Sequence, residues 1–171
     1  MPLTDITLPS IEYICLNIRE SDKLEILSLR PHDSELQLAW ETFSALRNMG
    51  RGRIAWHKGK PAGLFGFTEA WPGHWEIWMF GTEDYRHVAI DLMRYCRKEA
   101  NEILTVCNGR RLQADVREGH PDAHKLVTAM GGKPEGPLML NYGKDGGNYQ
   151  RYVWLNGVND AVLKPNYTRA A

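Results

Sequence analysis

The stretch Met79–Cys96, MFGTEDYRHVAIDLMRYC, decides the fold because it runs from an apolar strand through a turn into an amphipathic helix. Val88, Leu92 and Cys96 repeat at the spacing of one helix face. The first N–H groups of a helix have no partner within it, so such a junction readily holds an anion. This turn has a single glycine, Gly81, which leaves little main chain free of side chains. The sequence predicts a strand, a turn and a helix, and leaves open whether the turn holds a nucleotide-type ligand.

The segments before this stretch predict two helices and then three strands. One helix covers residues 10–29 with a break near Ser21, and a second covers 32–50. Two apolar runs then flank a turn at Lys58–Lys60, which indicates a β-hairpin. Residues 74–80 follow as a third strand.

The segments after the stretch predict a strand over 110–116, a helix over 120–132 and a second hairpin over 137–155. Polar residues from about 156 onward indicate a loosely ordered tail. The element order predicts one α/β (α+β) domain over residues 1–171. Its mixed, mostly antiparallel sheet has about six strands and is flanked by about four helices.

Composition and charge exclude several classes of function. The chain has 171 residues, 43% of them hydrophobic, and its 21 basic and 21 acidic residues give a formal net charge of zero. Such a chain has no field that would draw it to DNA or to an anionic membrane. Its start lacks the pattern of a signal peptide, and no apolar run approaches the roughly 20 residues of a membrane span. We expect a soluble protein with no membrane partner and no nucleic acid as a direct specific partner.

Three smaller patterns have ordinary interpretations. The basic run Arg47–Arg53 is the best phosphate-facing patch, but we interpret it as a solvated loop. Six tryptophans indicate core packing, with a protein-binding surface as the alternative; Trp75 and Trp78 should face opposite sides of their strand. His120 and His124 lie four residues apart without a third ligand nearby, so we predict no metal ion. The odd, widely spaced cysteines are interpreted as reduced, buried thiols: Cys15, Cys96 and Cys107.

The element order resembles that of the GNAT superfamily of N-acetyltransferases. In that fold a central strand diverges from its neighbour, and the gap grips acetyl-coenzyme A, whose pyrophosphate lies on the N–H groups of the following helix. The resemblance covers nearly the whole chain, although the family's first strand is hard to locate in it. It implies an acetyl-coenzyme A site at the Met79–Cys96 junction.

Three motifs are similar, more specifically, to phage-encoded GNAT-like proteins, which include the small internal virion proteins of short-tailed phages. The motifs are WPGHWEIWMFGT (71–82), LVTAMGG (126–132) and YGKDGGNYQRYVW (142–154). This resemblance implies a bacteriophage virion protein whose partners are other phage virion proteins. Its location would be the virion and the host cytoplasm.

The resemblance also implies cofactor-binding positions. Active family members commonly carry Arg/Gln-x-x-Gly-x-Gly/Ala at the pyrophosphate turn, and here Ala89 stands at the first glycine and Asp91 at the second. A carboxylate there would repel the pyrophosphate by about 1 kcal/mol even when partly screened. An ordinary helix start with a solvated Arg-His pair is the alternative interpretation. The candidates by resemblance are Phe80, Arg86, His87, Val88 and Ala89.

The resemblance implies that the usual proton donor is missing. Many family members protonate the departing thiolate with a tyrosine on the penultimate helix, preceded by an asparagine. Here Val127 stands at the tyrosine position and His120 at the asparagine position. Valine has no proton to give, so a tyrosine from elsewhere would have to reach the gap. The tyrosines considered are Tyr85, Tyr95 and Tyr142.

Deprotonating an amine acceptor requires a base near the diverging strands. Glu76, on the strand before the turn, is the catalytic candidate. His74 on the same face and Glu69 on the neighbouring hairpin are alternatives, and a solvated glutamate is the ordinary interpretation of Glu76.

These observations predict a catalytically impaired GNAT-fold phage protein, acting in the virion or its assembly without a cofactor. The alternative is an active N-acetyltransferase that uses acetyl-coenzyme A to modify a host protein or a small amine.

Overall fold

The computed structural model describes residues 3–157, which form one seven-stranded sheet flanked by five α-helices. A 3-10 helix, Glu83–His87, joins the fourth strand to the fourth helix. The predicted mixed architecture is confirmed, with one more strand and one more helix than expected. The elements in chain order are β1 (Leu3–Thr4), α1 (Leu8–Leu16), α2 (Glu20–Leu27), α3 (Glu35–Met49), β2 (Gly50–His57), β3 (Lys60–Trp71), β4 (His74–Gly81), α4 (Ala89–Thr105), β5 (Arg111–Arg117), α5 (Pro121–Ala129), β6 (Lys133–Pro134) and β7 (Tyr149–Leu155).

The sheet has the order β1-β2-β3-β4-β5-β7-β6, and its neighbours are antiparallel except for β4 and β5. The parallel pairing of β4 with β5 covers only His74–Glu76 against Arg111–Gln113. Beyond Glu76 the two strands diverge, so one edge of β4 from Ile77 to Gly81 faces a gap instead of a strand. The predicted divergence of the central strands is therefore confirmed.

Apolar side chains cover both faces of the sheet. Helices α4 and α5 pack on one face and helices α1 and α3 on the other. In β4, Trp75, Ile77 and Met79 join the first layer, whereas Trp78 and Phe80 join the second, as the period of two predicts.

The first predicted helix is two helices, and the break lies before the predicted position. Helix α1 ends at Leu16 and α2 begins at Glu20. Between them Ile18 forms a β-bridge with Thr82, and the Arg19 N–H donates to the Gly81 C=O at 3.0 Å. The connection leaves the helical conformation because its main chain pairs with the end of β4.

The predicted C-terminal hairpin was wrong in its first half. Only β7 is a strand, and the other arm is reduced to a single bridge from Met139 to Tyr149. The intervening loop turns towards α2, where the Lys144 N–H donates to the Ser28 C=O at 2.8 Å. Strand β1 stands at the edge of the sheet beside β2, and its two residues are too few to show an alternating pattern.

Three other sequence interpretations change. The run Arg47–Arg53 is not a loop but the end of α3 and the start of β2, and Arg51 Nη1 lies 3.0 Å from Glu102 Oε1. Trp40 and Trp71 are 54% and 58% exposed, so the core interpretation was wrong for both. The three thiols are free, but Cys107 is only half-buried.

Within residues 3–157, no helix combines the length and the apolar character that crossing a bilayer requires. The predicted polar tail lies, from residue 158 onward, outside the described residues.

Gly66 is a position where β3 requires a residue without a side chain. A Cβ atom there would lie 2.3 Å from the Trp78 ring and 2.8 Å from a Leu46 methyl group. We expect Gly66→Ala to lower the free energy of unfolding by about 1–3 kcal/mol, because both neighbours would have to move. Denaturant unfolding measures the difference.

Gly119→Ala is the matched control, since nothing lies within 4 Å of a Cβ built there. It should change the free energy of unfolding by less than about 0.5 kcal/mol. Equal losses in the two variants would contradict the packing described for Gly66.

Candidate functional site

A cavity of about 340 Å³ lies in the gap between β4 and β5. It is lined by side chains from both faces of β4, so it passes through the plane of the sheet. Helix α2 and the preceding Arg19 form one wall, and α5 forms another. The residues that those two walls contribute are Arg19, Asp22, Glu25, Ile26, Ala123, Leu126 and Val127.

One carboxylate bonds across the wide end of this gap. Asp22 Oδ2 accepts a hydrogen bond from the Gly81 N–H at 2.8 Å, and Asp22 Oδ1 lies 2.8 Å from His120 Nε2. Gly81 ends β4, and His120 follows β5 as the N-cap of α5. Asp22 therefore connects the separated ends of the two diverging strands, and its side chain is only 3% exposed.

Arg19 completes this arrangement. Its main-chain N–H donates to the Gly81 C=O, so both polar main-chain groups of Gly81 are bonded to the chain itself. Its Nε lies 2.7 Å from Asp22 Oδ2, and its guanidinium carbon lies 4.3 Å from the centre of the Tyr85 ring. We call Arg19, Asp22, Gly81 and His120 the closing cluster.

The charges of the closing cluster act on the imidazole of His120. Burial alone would lower the pKa of His120, but its hydrogen bond to Asp22 and the negative charges of Glu25 and Asp22 outweigh burial, so the pKa is raised. The buried carboxylate of Asp22 thus lies between the guanidinium of Arg19 and the imidazole of His120. This arrangement compensates the cost of removing its charge from water.

Glu25, one turn after Asp22 on α2, is a site residue that the sequence did not identify. Its Oε2 accepts the Arg117 N–H at 2.8 Å, and burial raises the pKa of its carboxyl group to about 7. A carboxyl group that titrates near neutral pH is suited to proton transfer. Asp22 and Glu25 share a helix face by their spacing, but no sequence pattern shows that this face meets the gap.

Of the three predicted bases, the structure brings only Glu76 to the cavity, where it is exposed. His74 is buried away from it, stacked on Trp71 with ring centres 3.9 Å apart. Burial, with the nearby charge of Arg111, lowers the pKa of His74. Glu69 Oε1 accepts the Gly73 N–H at 2.8 Å and so belongs to the β3–β4 turn.

The proton-donor positions also separate. Val127 lines the cavity and offers no proton. Tyr85 lines it too, with its hydroxyl against Met79 Sδ, and burial raises its pKa. Tyr95 packs on Phe65 outside the cavity. Tyr142 also lies outside the lining, with its hydroxyl 3.3 Å from Asp115 Oδ2. Tyr85 is therefore the one of the three considered tyrosines that reaches the gap.

The five predicted cofactor residues do not form one group. Phe80 is buried and lines the cavity, whereas Arg86, His87, Val88 and Ala89 lie beside the N-terminus of α4, outside the cavity lining. Val88 is a core residue, and Ala89 is the first residue of α4.

The Arg-His pair before α4 is bonded within itself. Arg86 Nε donates to His87 Nε2 at 3.3 Å, and the His87 ring stacks on His57. The exposed Asp91 lies 3.5 Å from Arg94. The repulsion of a pyrophosphate by Asp91 stays a prediction.

His120 and His124 do not converge on one ligand. His120 bonds to Asp22, whereas His124 Nδ1 lies 2.9 Å from the Tyr152 hydroxyl and His124 Nε2 lies 2.9 Å from the Arg117 C=O. Both imidazoles therefore have internal hydrogen-bond partners.

Solved structures of N-acetyltransferases share this architecture. A variant of the spermidine N-acetyltransferase SpeG from Vibrio cholerae matches with a TM-score of 0.64 and 14% identity over 91% of this chain and 95% of that one. RimL, a ribosomal alpha-N-protein acetyltransferase solved with coenzyme A, matches with a TM-score of 0.68 and 13% identity over 92% of this chain and 94% of that one. A GNAT-family acetyltransferase from Bacillus anthracis matches with a TM-score of 0.67 and 11% identity over 90% of this chain and 93% of that one. Identities this low show the fold alone, and the fold is that of the GNAT acetyltransferases.

The sequence itself matches no protein-family model, and no curated protein matches it.

Glu25 makes stability depend on pH. Its folded pKa of about 7 exceeds the ordinary value of 4.5, so between these pH values the folded state holds a proton that the unfolded state has lost. Its contribution to stability is present at low pH and is lost as pH rises through about 7. We expect Glu25→Gln to remove on the order of 2 kcal/mol of this decline between about pH 5 and 8. Denaturant unfolding across that range measures it.

The raised pKa of His120 acts in the same direction, so a smaller decline should persist in the Glu25→Gln variant. Glu20→Gln, an exposed position on the same helix, is the matched control and should keep the wild-type slope. If Glu25→Gln kept that slope as well, Glu25 would not titrate near neutral pH.

Proposed function

We propose that this chain is a GNAT-fold protein that does not transfer acetyl groups and serves as a virion or virion-assembly protein of a bacteriophage. The closing cluster is the observation that carries the first half of the proposal. The three phage-like motifs and the exposed aromatic residues support the second half.

The closing cluster occupies the end of the gap through which a carrier thioester would enter. A ligand lying along β4 there would meet Gly81 with its N–H bonded to Asp22 and its C=O bonded to Arg19. Entry would require breaking the buried pair of Asp22 and His120. Disrupting such a pair costs about 3–5 kcal/mol, which weakens binding by roughly 100-fold or more.

The pyrophosphate side supports the same conclusion. Arg86 and His87 bond to each other instead of pointing into the cavity, and Asp91 adds a negative charge in the first turn of α4. The N-terminus of α4 has no side-chain cap, and among the described residues no side chain near it is arranged to hold an anion there.

Exposed apolar residues on α3 favour a protein partner. Leu36 and Trp40 stand one turn apart, on one face of the helix, and are 50% and 54% exposed. Tryptophan is enriched at the centres of protein interfaces because it buries a large surface. A virion protein packed among other virion proteins would cover this face.

A second candidate function is acetyl transfer to an amine, and the cavity itself favours it. Glu25, with a pKa of about 7, could accept the proton of the amine, and Tyr85 could protonate the thiolate. This function requires the closing cluster to open.

Titration with acetyl-coenzyme A distinguishes the two functions. We expect no binding heat at roughly millimolar acetyl-coenzyme A in calorimetry, because the closing cluster blocks the gap. A spermidine N-acetyltransferase titrated in the same buffer is the positive control. Saturable micromolar binding, together with amine acetylation that Glu25→Gln abolishes, would overturn the proposal in favour of the second candidate.

The virion role has its own readout. Quantitative mass spectrometry of purified particles should find the chain at a fixed copy number relative to the capsid protein. Its absence from particles would contradict that role, whatever the result of the titration.

A further inference from the structure

Three side chains with metal-binding chemistry meet outside the cavity. His57 ends β2, and Asp84 and His87 lie on the 3-10 helix before α4. One ligand atom from each residue lies within 4.8 Å of the others. The rings of His57 and His87 are stacked, with centres 4.3 Å apart and planes 11° apart.

We propose that His57, Asp84 and His87 bind a divalent first-row transition-metal ion, with Zn²⁺ as the representative. Two imidazole nitrogens and one carboxylate oxygen are a donor set that zinc uses in open sites, where water takes the fourth position. The same set accepts other divalent transition ions, whereas Mg²⁺ and Ca²⁺ prefer oxygen donors.

The site needs a small rearrangement to hold the ion. Zinc bonds to nitrogen and oxygen at about 2.0–2.2 Å, so tetrahedral ligand atoms stand roughly 3.3 Å apart. The side chains must therefore approach each other by up to about 1.5 Å, and the parallel rings must tilt until their lone pairs meet. His57 and Asp84 are half-buried and His87 is exposed, so all three side chains have room to rotate.

Arg86 is the competitor of the metal ion. Its Nε donates to His87 Nε2 at 3.3 Å, so that nitrogen carries a lone pair and no proton. An ion bound to this nitrogen would have to break the hydrogen bond from Arg86, and the positive guanidinium would repel the ion. Arg86 thus weakens the site without contributing a ligand.

A bound ion would connect the tip of the β2–β3 hairpin to the segment that begins α4. His57 and His87 are thirty positions apart in the chain, so only the folded state holds them close together. Binding should therefore stabilise the fold, since the unfolded chain does not present these ligands together. This proposal is independent of the proposed function.

Zinc titration of the full chain tests the site. We expect one Zn²⁺ per chain by calorimetry and a higher melting temperature in its presence. His57→Ala and His87→Ala should each weaken binding by about 100-fold or more, because even outer-shell partners are worth about 10–100-fold. Arg86→Ala should tighten binding several-fold. His32→Ala, which removes a histidine outside the cluster, should bind as the wild type does.

Cobalt distinguishes the ligand set. Co²⁺ in the wild-type chain should give visible d–d bands without the near-ultraviolet sulfur-to-metal charge transfer that coordination by the half-buried Cys107 would produce. If an alanine variant fails to fold, the ligands are identified instead by NMR of the histidine-labelled wild-type chain during zinc titration. The ring signals that shift should be those of His57 and His87. No binding at millimolar zinc, a thiolate band, or unchanged affinity in folded His57→Ala would each overturn the proposal.

Discussion

The buried carboxylate of Asp22 is the contact on which the central part of this structure depends. Two parallel strands that separate after three paired residues leave main-chain groups without partners and two strand ends without a connection. Asp22 bonds to the end of one strand through Gly81 and to the residue that follows the other through His120. A charge in this position is stable only because the His120 imidazole and the Arg19 guanidinium both lie within hydrogen-bond distance of it.

The same contact explains why a cavity persists beside β4 while the main chain at the end of that strand is already hydrogen-bonded. Because the strands are held apart, about 340 Å³ of space persists between them, lined by Glu25, Tyr85 and Val127. Because they are held apart by the chain's own side chains, the end of β4 has no free main-chain group at Gly81. The gap between β4 and β5 thus persists, and Asp22 bonds across its wide end.

The sequence predicted the parts of the fold that depend on local periodicity. Three predictions are confirmed: the strand and helix of Met79–Cys96, the β2–β3 hairpin, and the opposite orientations of Trp75 and Trp78. Each depends only on the pattern of residues that are close together in the sequence. The prediction of the second hairpin failed because the Lys144 N–H donates to Ser28, just after α2, instead of to a neighbouring strand. Strand β1 was missed because two residues are too few to show the alternation of apolar and polar residues that marks a strand.

The candidate site was less accessible to sequence reasoning. Asp22 meets partners that are 59 and 98 positions away, so neither its role nor its burial leaves a local pattern. Glu25 was missed for the same reason, and Glu76 was proposed because it lies on a strand whose end was already recognised. The metal-ligand set of His57 and His87 likewise arises only when the hairpin and the 3-10 helix come together.

Hydrogen exchange at the Gly81 amide tests the closing contact most directly. This amide lies on the edge of β4 that faces the gap, so its protection depends on the hydrogen bond to Asp22. The structure predicts that it exchanges only through opening reactions that approach global unfolding in free energy. Exchange as fast as that of the exposed loop residue Gly119 would show that Asp22 does not hold the end of β4.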